Sequence, residues 1–121
     1  MNAGSSILAL DMNNSGVKDL ILGDASYSTL TLLMNGGTIP NTNSAMVSQD
    51  ITFPSTNIPL DVQIFPVSFF VDVDFDSIKD LVIGTNVKNL AENELSIWFY
   101  KNIGSNVVPN FSFQRTYFKM K

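Results

Sequence analysis

A short segment of this chain occurs twice, and the internal repeat restricts the possible folds more than any other feature. The first copy, DMNNSGVKDLILG, begins at Asp11, and the second copy, DVDFDSIKDLVIG, begins at Asp72, 61 residues later. Self-similarity at a fixed interval of this size is typical of repeat architectures, in which neighbouring units pack on one another. We therefore divide the chain into two units, residues 1–60 and residues 61–121.

Short apolar runs rich in β-branched and aromatic residues flank both copies. Runs of this length are typical of strands, and helical periodicity of useful length is missing from the sequence. The turn signals Asn35-Gly36-Gly37 and Asn102-Ile103-Gly104 close two of the runs. The sequence predicts an all-β fold of two four-stranded antiparallel units. One strand is expected within each copy of the repeated segment. Further strands are expected at Ile7–Leu10, Thr29–Met34, Ala45–Phe53, Val62–Val71, Leu95–Lys101 and Phe111–Phe118.

Three details of the second unit carry further expectations. Pro66 interrupts an apolar run, which indicates a bend or an edge strand because proline has no amide donor. The hairpin connection through Asn86–Asn93 is longer than its counterpart in the first unit and is expected to be a surface loop. Alternation along the strand that follows places Ile97 and Phe99 on the core side and Trp98 on the other side. We interpret the aromatic residues here as sheet and core residues, rather than as a stacking platform for a sugar or peptide.

Four aspartates fall within nine residues of the second copy, at relative positions 1, 3, 5 and 9. Like charges about 4 Å apart repel by on the order of 1 kcal/mol per pair in water, and by more at a lower effective dielectric constant. A bound cation removes that repulsion, and an all-oxygen ligand set suits calcium. A backbone carbonyl at position 7 adds a fifth oxygen. The sequence predicts a calcium site formed by Asp72, Asp74, Asp76, Asp80 and the carbonyl of Ile78.

The first copy repeats the spacing with fewer carboxylates. Its candidate ligands are Asp11, Asn13, Ser15, Asp19 and the carbonyl of Val17. A turn without metal is an equal alternative here, because Asp, Asn and Ser side chains hydrogen-bond the local backbone. Gly16 at position 6 suits a positive φ, whereas Ser77 occupies that position in the second copy. An EF-hand is disfavoured for both copies, since that loop requires a glutamate at position 12 and helices on either side.

Composition excludes several classes of function. The chain has no cysteine and no histidine, which removes disulfides, thiolate nucleophiles, Cys/His zinc sites and histidine-containing dyads. The net charge is −4 and the basic residues are scattered, so a nucleic-acid partner is not expected. No apolar segment is long enough for a membrane-spanning helix, so membrane insertion is not expected either. The sequence contains no convergent set of acidic residues of the kind that would indicate an enzyme active site.

The two copies resemble the FG-GAP/VCBS repeat, whose core reads roughly D-x-D-x-D-G-x-x-D-L-x-x-G. PLDVQIFPVSFFVDVDFD is similar to the strand that leads into that core, and LSIWFYKNIGSNVVPNF is similar to the strand, turn and Pro-x-Phe that follow it. The resemblance implies a β-propeller blade of four antiparallel strands, with calcium in the loop between its first two strands. It implies the same ligand sets, although Asn13 and Ser15 depart from the aspartates of the pattern and Ser77 from its glycine.

Propellers close with about four to eight blades, so two blades imply a fragment of a larger propeller or several copies that complete one ring. The resemblance further implies a calcium-stabilised, non-catalytic domain of a secreted or cell-surface protein, with a structural or adhesive role towards a protein or glycan ligand. The alternative is an accessory propeller domain of a secreted hydrolase whose catalytic residues lie outside this chain. A calcium-regulated enzyme has the least support.

Overall fold

The computed structural model describes residues 4–62, 65–85 and 97–117, and every regular element within them is a β-strand. The first sheet has the strand order β1-β2-β3-β4 and the second has the order β5-β6-β7-β8, with antiparallel neighbours throughout. The predicted all-β fold of two four-stranded antiparallel sheets is confirmed. The expected loop at Asn86–Asn93 lies outside the described residues. The strands are β1 (Ser5–Leu10), β2 (Asp19–Asp24), β3 (Leu30–Asn35), β4 (Met46–Phe53), β5 (Pro66–Val71), β6 (Asp80–Thr85), β7 (Ile97–Asn102) and β8 (Phe111–Tyr117).

The strand registers allow positions of the two sheets to be matched. Leu10 pairs with Asp19 in the first sheet, as Val71 pairs with Asp80 in the second. The pair Leu20 and Leu33 likewise corresponds to Leu81 and Tyr100. Because side chains alternate between faces along a strand, each position of the first sheet can be matched to an equivalent position of the second sheet.

One hydrophobic core joins the two sheets. The face of each sheet that contributes to this core is called its inner face, and the opposite face is called its outer face. Buried Leu60 and Val62, from the connection between β4 and β5, complete the core. The inner face of the first sheet comprises Leu8, Leu10, Ile21, Leu30, Leu32 and Phe53, and that of the second comprises Phe70, Leu81, Ile83, Trp98, Tyr100, Phe111 and Phe113.

The sheets approach most closely where β5 begins. The Ser6 hydroxyl donates a hydrogen bond of 2.7 Å to the carbonyl of Pro66, and a Cβ atom on Gly23 would lie only 1.9 Å from the same oxygen. Only glycine leaves room for this contact at position 23. Pro66 is the first residue of β5, an edge strand, so the prediction of a bend or an edge at Pro66 is confirmed.

The predicted orientation of β7 is wrong. Trp98 and Tyr100 lie on the inner face, where their rings stack with centroids 6.3 Å apart, and the ring of Phe113 lies 5.1 Å from that of Trp98. Phe99 points to the opposite face and is also buried. Because β7 carries large apolar side chains on both faces, polar–apolar alternation cannot identify the inner one. The expectation that these aromatic residues belong to the core and sheet surface agrees with their packing.

Gly23→Ala is expected to destabilise the fold by about 1–3 kcal/mol, because the added methyl group collides with a backbone oxygen that cannot move aside. Urea denaturation measures the change. Gly36→Ala is the matched control, since its methyl group would mainly meet the exposed Val47 side chain, which can rotate. Equal effects of the two substitutions would contradict the close contact at Pro66.

Candidate metal site

The two repeated segments form loops of the same shape at the same end of the two hairpins. Loop 1 (residues 11–18) joins β1 to β2, and loop 2 (residues 72–79) joins β5 to β6. Both loops take positive φ at their fourth and sixth residues: 56° and 95° at Asn14 and Gly16, and 61° and 72° at Phe75 and Ser77. The left-handed conformation costs Ser77 about 1–2 kcal/mol that Gly16 avoids.

The first aspartate of each loop folds the loop around itself. Asp72 accepts hydrogen bonds from the backbone N–H groups of Asp76 (3.2 Å) and Ser77 (2.9 Å). Asp11 accepts the corresponding bonds from Ser15 (3.1 Å) and Gly16 (2.9 Å). These contacts require no cation, so both loops contain the Asx-type turn that the sequence offered as an alternative for loop 1.

The last aspartate of each pattern is fully buried and ties its loop to the third strand of its sheet. Asp19 accepts the N–H groups of Met12 and Asn35, each at 2.8 Å. Asp80 accepts those of Val73 at 3.3 Å and Asn102 at 2.9 Å. Asp19 therefore fixes the start of loop 1 to the end of β3, and Asp80 fixes the start of loop 2 to the end of β7.

Loop 2 gathers its four carboxylates around one point. Carboxylate oxygens of Asp72, Asp74, Asp76 and Asp80 all lie within 4.8 Å of one another. The ammonium of Lys101 on β7, which the sequence did not predict, lies beside three of these carboxylates. Its Nζ lies 2.6 Å from both Asp74 Oδ2 and Asp76 Oδ2, and 3.7 Å from Asp80 Oδ1. No sequence signal pointed to it, because Lys101 is 25 residues from Asp76 and lies on another strand.

The Lys101 ammonium stabilises the charged form of its partners. The hydrogen bond from Lys101 is the main cause that lowers the pKa of Asp76 to about 2, and the N–H of Ile78 contributes as well. Hydrogen bonds to Asp74 and Asp76 raise the pKa of Lys101 in turn. Lys101 is the built-in cation of the cluster and marks the position where positive charge is favoured.

This donor set could hold a metal ion. Four carboxylates supply hard oxygen ligands in a loop with exposed members, and one ammonium offsets only one of their four charges. Ile78, the predicted carbonyl ligand, is held in the loop by an N–H bond of 2.9 Å to Asp76 Oδ1. Four carboxylates that could hold a metal ion are present, and the identity of that ion stays a prediction.

Loop 1 gathers less charge. Its pattern has two carboxylates, Asp11 in the loop and Asp19 at the start of β2, and Met34 occupies the position that corresponds to Lys101. The Ser15 hydroxyl lies 3.5 Å from both Asp11 Oδ1 and the Val17 carbonyl oxygen. At Asp11, desolvation opposes ionisation, but N–H groups of Gly16 and Ser15 outweigh it and lower the pKa. Asn13 is exposed and donates its N–H to Asp11 at 3.3 Å. Calcium binding by loop 1 stays a prediction.

A cleft of about 560 Å³ lies between the two loops. Leu8, Leu10 and Phe70 form its apolar floor, and the Lys79 ammonium lies 5.8 Å from the centre of the Phe70 ring. Polar groups line the rest of the cleft: Asp11, Asn14, Lys18 and Asn106. An apolar floor with a few polar groups around it is the usual composition of a ligand pocket.

Asp80→Ala is expected to destabilise the protein by about 1–3 kcal/mol for each N–H group left unpaired. Asp19→Ala should have a similar effect, because its carboxylate makes the same two contacts in the first sheet. Urea denaturation in EDTA measures both changes without any contribution from metal. The exposed Asp61 supplies the control, and an Asp80→Ala variant as stable as Asp61→Ala would contradict the bridging role.

Lys101→Met is expected to raise the pKa of Asp76 from about 2 towards the ordinary value near 3.9. A lowered pKa adds stability above the unfolded-state value, and this contribution disappears as the pH falls towards 2. The variant should therefore lose acid resistance between about pH 4 and pH 2. Carboxyl-carbon NMR titration in EDTA measures the pKa, with Asp50 as an internal control bound by Ser55 and Thr52. An unchanged Asp76 pKa would contradict the contact with Lys101.

Within residues 4–62, 65–85 and 97–117, no helix is long and apolar enough to cross a membrane. Comparison of the chain with protein-family models, curated proteins and solved structures finds no match. The resemblance to the FG-GAP/VCBS repeat therefore stays a prediction from the sequence, and any function must be inferred from the residues of this chain.

Proposed function

We propose that this chain is a calcium-stabilised, non-catalytic module of an extracellular or cell-surface protein, with a structural or ligand-binding role of the adhesion type. The observation that carries the proposal is the cluster of four carboxylates at loop 2, three of which lie within 3.7 Å of the Lys101 ammonium on β7. The cluster keeps excess negative charge after pairing with Lys101, and a divalent cation neutralises this charge better than a second monovalent cation would.

Several properties of loop 2 favour calcium over magnesium. Calcium accepts six to eight oxygen ligands in flexible geometry, whereas magnesium requires a compact octahedron and gives up its water reluctantly. Asp74 and Asp76 are partly exposed, which leaves room for water among the ligands. Such partly exposed sites suit the weak affinities of extracellular modules, with dissociation constants of about 10⁻⁴–10⁻³ M. Bound calcium would supply charge neutralisation, while Asp80 keeps the loop attached to β7.

We also propose that the two sheets are propeller-type blades. Each sheet is a four-stranded antiparallel meander, and the loop between its first two strands carries the aspartates. The inner face of the first sheet corresponds in register to the outer face of the second, so the two sheets pack head to tail. Blades follow one another around a propeller in this way.

The ligand-binding part of the proposal is supported by the cleft between loops 1 and 2. Lys18, Lys79 and Asn106 offer hydrogen-bond donors above an apolar floor, an arrangement that suits a protein or glycan ligand with acceptor groups. Lys79, the last residue of loop 2, borders the cleft, so calcium bound in loop 2 would help to hold this residue in place.

Millimolar calcium is expected to raise the unfolding midpoint measured by differential scanning calorimetry, relative to EDTA, because a ligand that binds only the folded state stabilises it. Asp74→Ala and Asp76→Ala should each abolish most of this rise. Asn13→Ala and Ser15→Ala, at the same positions of loop 1, are the matched controls and should retain it.

Magnesium at the same concentration should give a smaller increase, since its geometry suits the loop less well. A midpoint that is the same in EDTA and in calcium would overturn the calcium proposal. If the loop 1 and loop 2 variants lost the calcium-dependent rise in midpoint equally, the cluster around Lys101 would not be the main calcium site.

A further inference from the structure

We propose that the outer face of the second sheet in one copy of this protein binds the outer face of the first sheet in another copy. The chain thereby assembles head to tail with a second copy of itself. This inference uses the blade-type packing of the two sheets and is independent of the calcium site. Its failure would leave the calcium proposal intact.

On the outer face of the second sheet, apolar residues occupy the positions whose counterparts in the first sheet lie in the core. Leu10 and Leu30 are buried in the core, but the corresponding Val71 and Ile97 are 45% and 39% exposed. Phe69, which corresponds to the core residue Leu8, is 53% exposed. These residues match an interface that the chain already makes once.

The outer face of the first sheet shows the complementary pattern. Leu20, Leu22 and Leu33 correspond to Leu81, Ile83 and Tyr100 of the second sheet, which are fully buried in the core. The three leucines are only half-buried. Leu22 and Leu33 line a groove of about 650 Å³ together with the exposed Ile7, Tyr27 and Ile51. The other residues that line this groove are Ser5, Gly23, Asp24, Thr29, Thr31 and Gln49.

The interface inside the chain is heterologous, because it joins one kind of face to the other kind. Within the described residues, one face of each kind is left without a partner sheet, so the same docking can join one copy to the next. Strands β1, β3 and β5 contain no charged residue, and Asp24 is the charged member of the groove. Apolar patches of this type on a soluble protein mark interaction sites, and continuity with the internal interface identifies a second copy as the occupant.

Head-to-tail contacts either close into a ring or continue as a filament. Propeller rings contain about four to eight blades, which corresponds to two to four copies of a two-sheet chain. Closure as a ring would bury every outer face and bring all aspartate loops to one side of the assembly.

Phe69→Glu on the second outer face and Ile7→Glu on the first test the proposal. Sedimentation velocity should show multimers of the unsubstituted chain and monomers of each variant alone. An equimolar mixture of the two variants should form dimers and nothing larger, because each variant retains one intact face of opposite kind. Ile103→Glu, an exposed apolar residue in the turn after β7, is the control and should assemble normally.

Circular dichroism verifies that each variant is folded, and Ile97→Glu with Ile51→Glu forms a second pair on the same two faces. A monomeric unsubstituted chain at every accessible concentration would overturn the proposal. So would a mixture of the two variants that remains monomeric, or an assembly that tolerates either substitution. Repeating the runs in calcium and in EDTA separates assembly from metal binding.

Discussion

A buried carboxylate at the start of the second strand is the contact on which the rest of each sheet depends. Asp19 and Asp80 are excluded from solvent, and each binds one N–H at the start of its loop and one at the end of the third strand. A buried charge is tolerated only when its hydrogen bonds are satisfied. These bonds therefore fix the loop, the hairpin and the third strand relative to one another, and the remaining aspartates are positioned as a consequence.

Much of the architecture was predictable, because local spacing determines it. The repeated segments, the short apolar runs and the Asn-x-Gly turns located all eight strands, and Pro66 marked an edge strand. The positive φ of Ser77 followed from its alignment with Gly16. The face of Trp98 was not predictable, since β7 is apolar on both sides and tertiary packing alone decides which side meets the other sheet.

The carboxylate cluster was only half predictable for a related reason. Its four aspartates are close in sequence, so spacing alone identified them. Lys101 is 25 residues from Asp76 and comes to it only through the pairing of β6 with β7. A search for ligands within the loop could not reveal a cation that belongs to another strand. Met34 stands at the matching position of the first sheet, beside a loop in which Asn13 and Ser15 replace two of the aspartates.

That difference between Lys101 and Met34 makes the two halves of the protein respond unequally to ionic strength. Loop 1 is held by hydrogen bonds between Asp11 and the backbone, which dissolved salt weakens little. Loop 2 also depends on ion pairs that are partly open to solvent, and mobile ions screen such pairs. Monovalent salt screens both these ion pairs and the repulsion among the four carboxylates, so the order of the second loop would follow the ionic composition of the surrounding fluid more closely than that of the first.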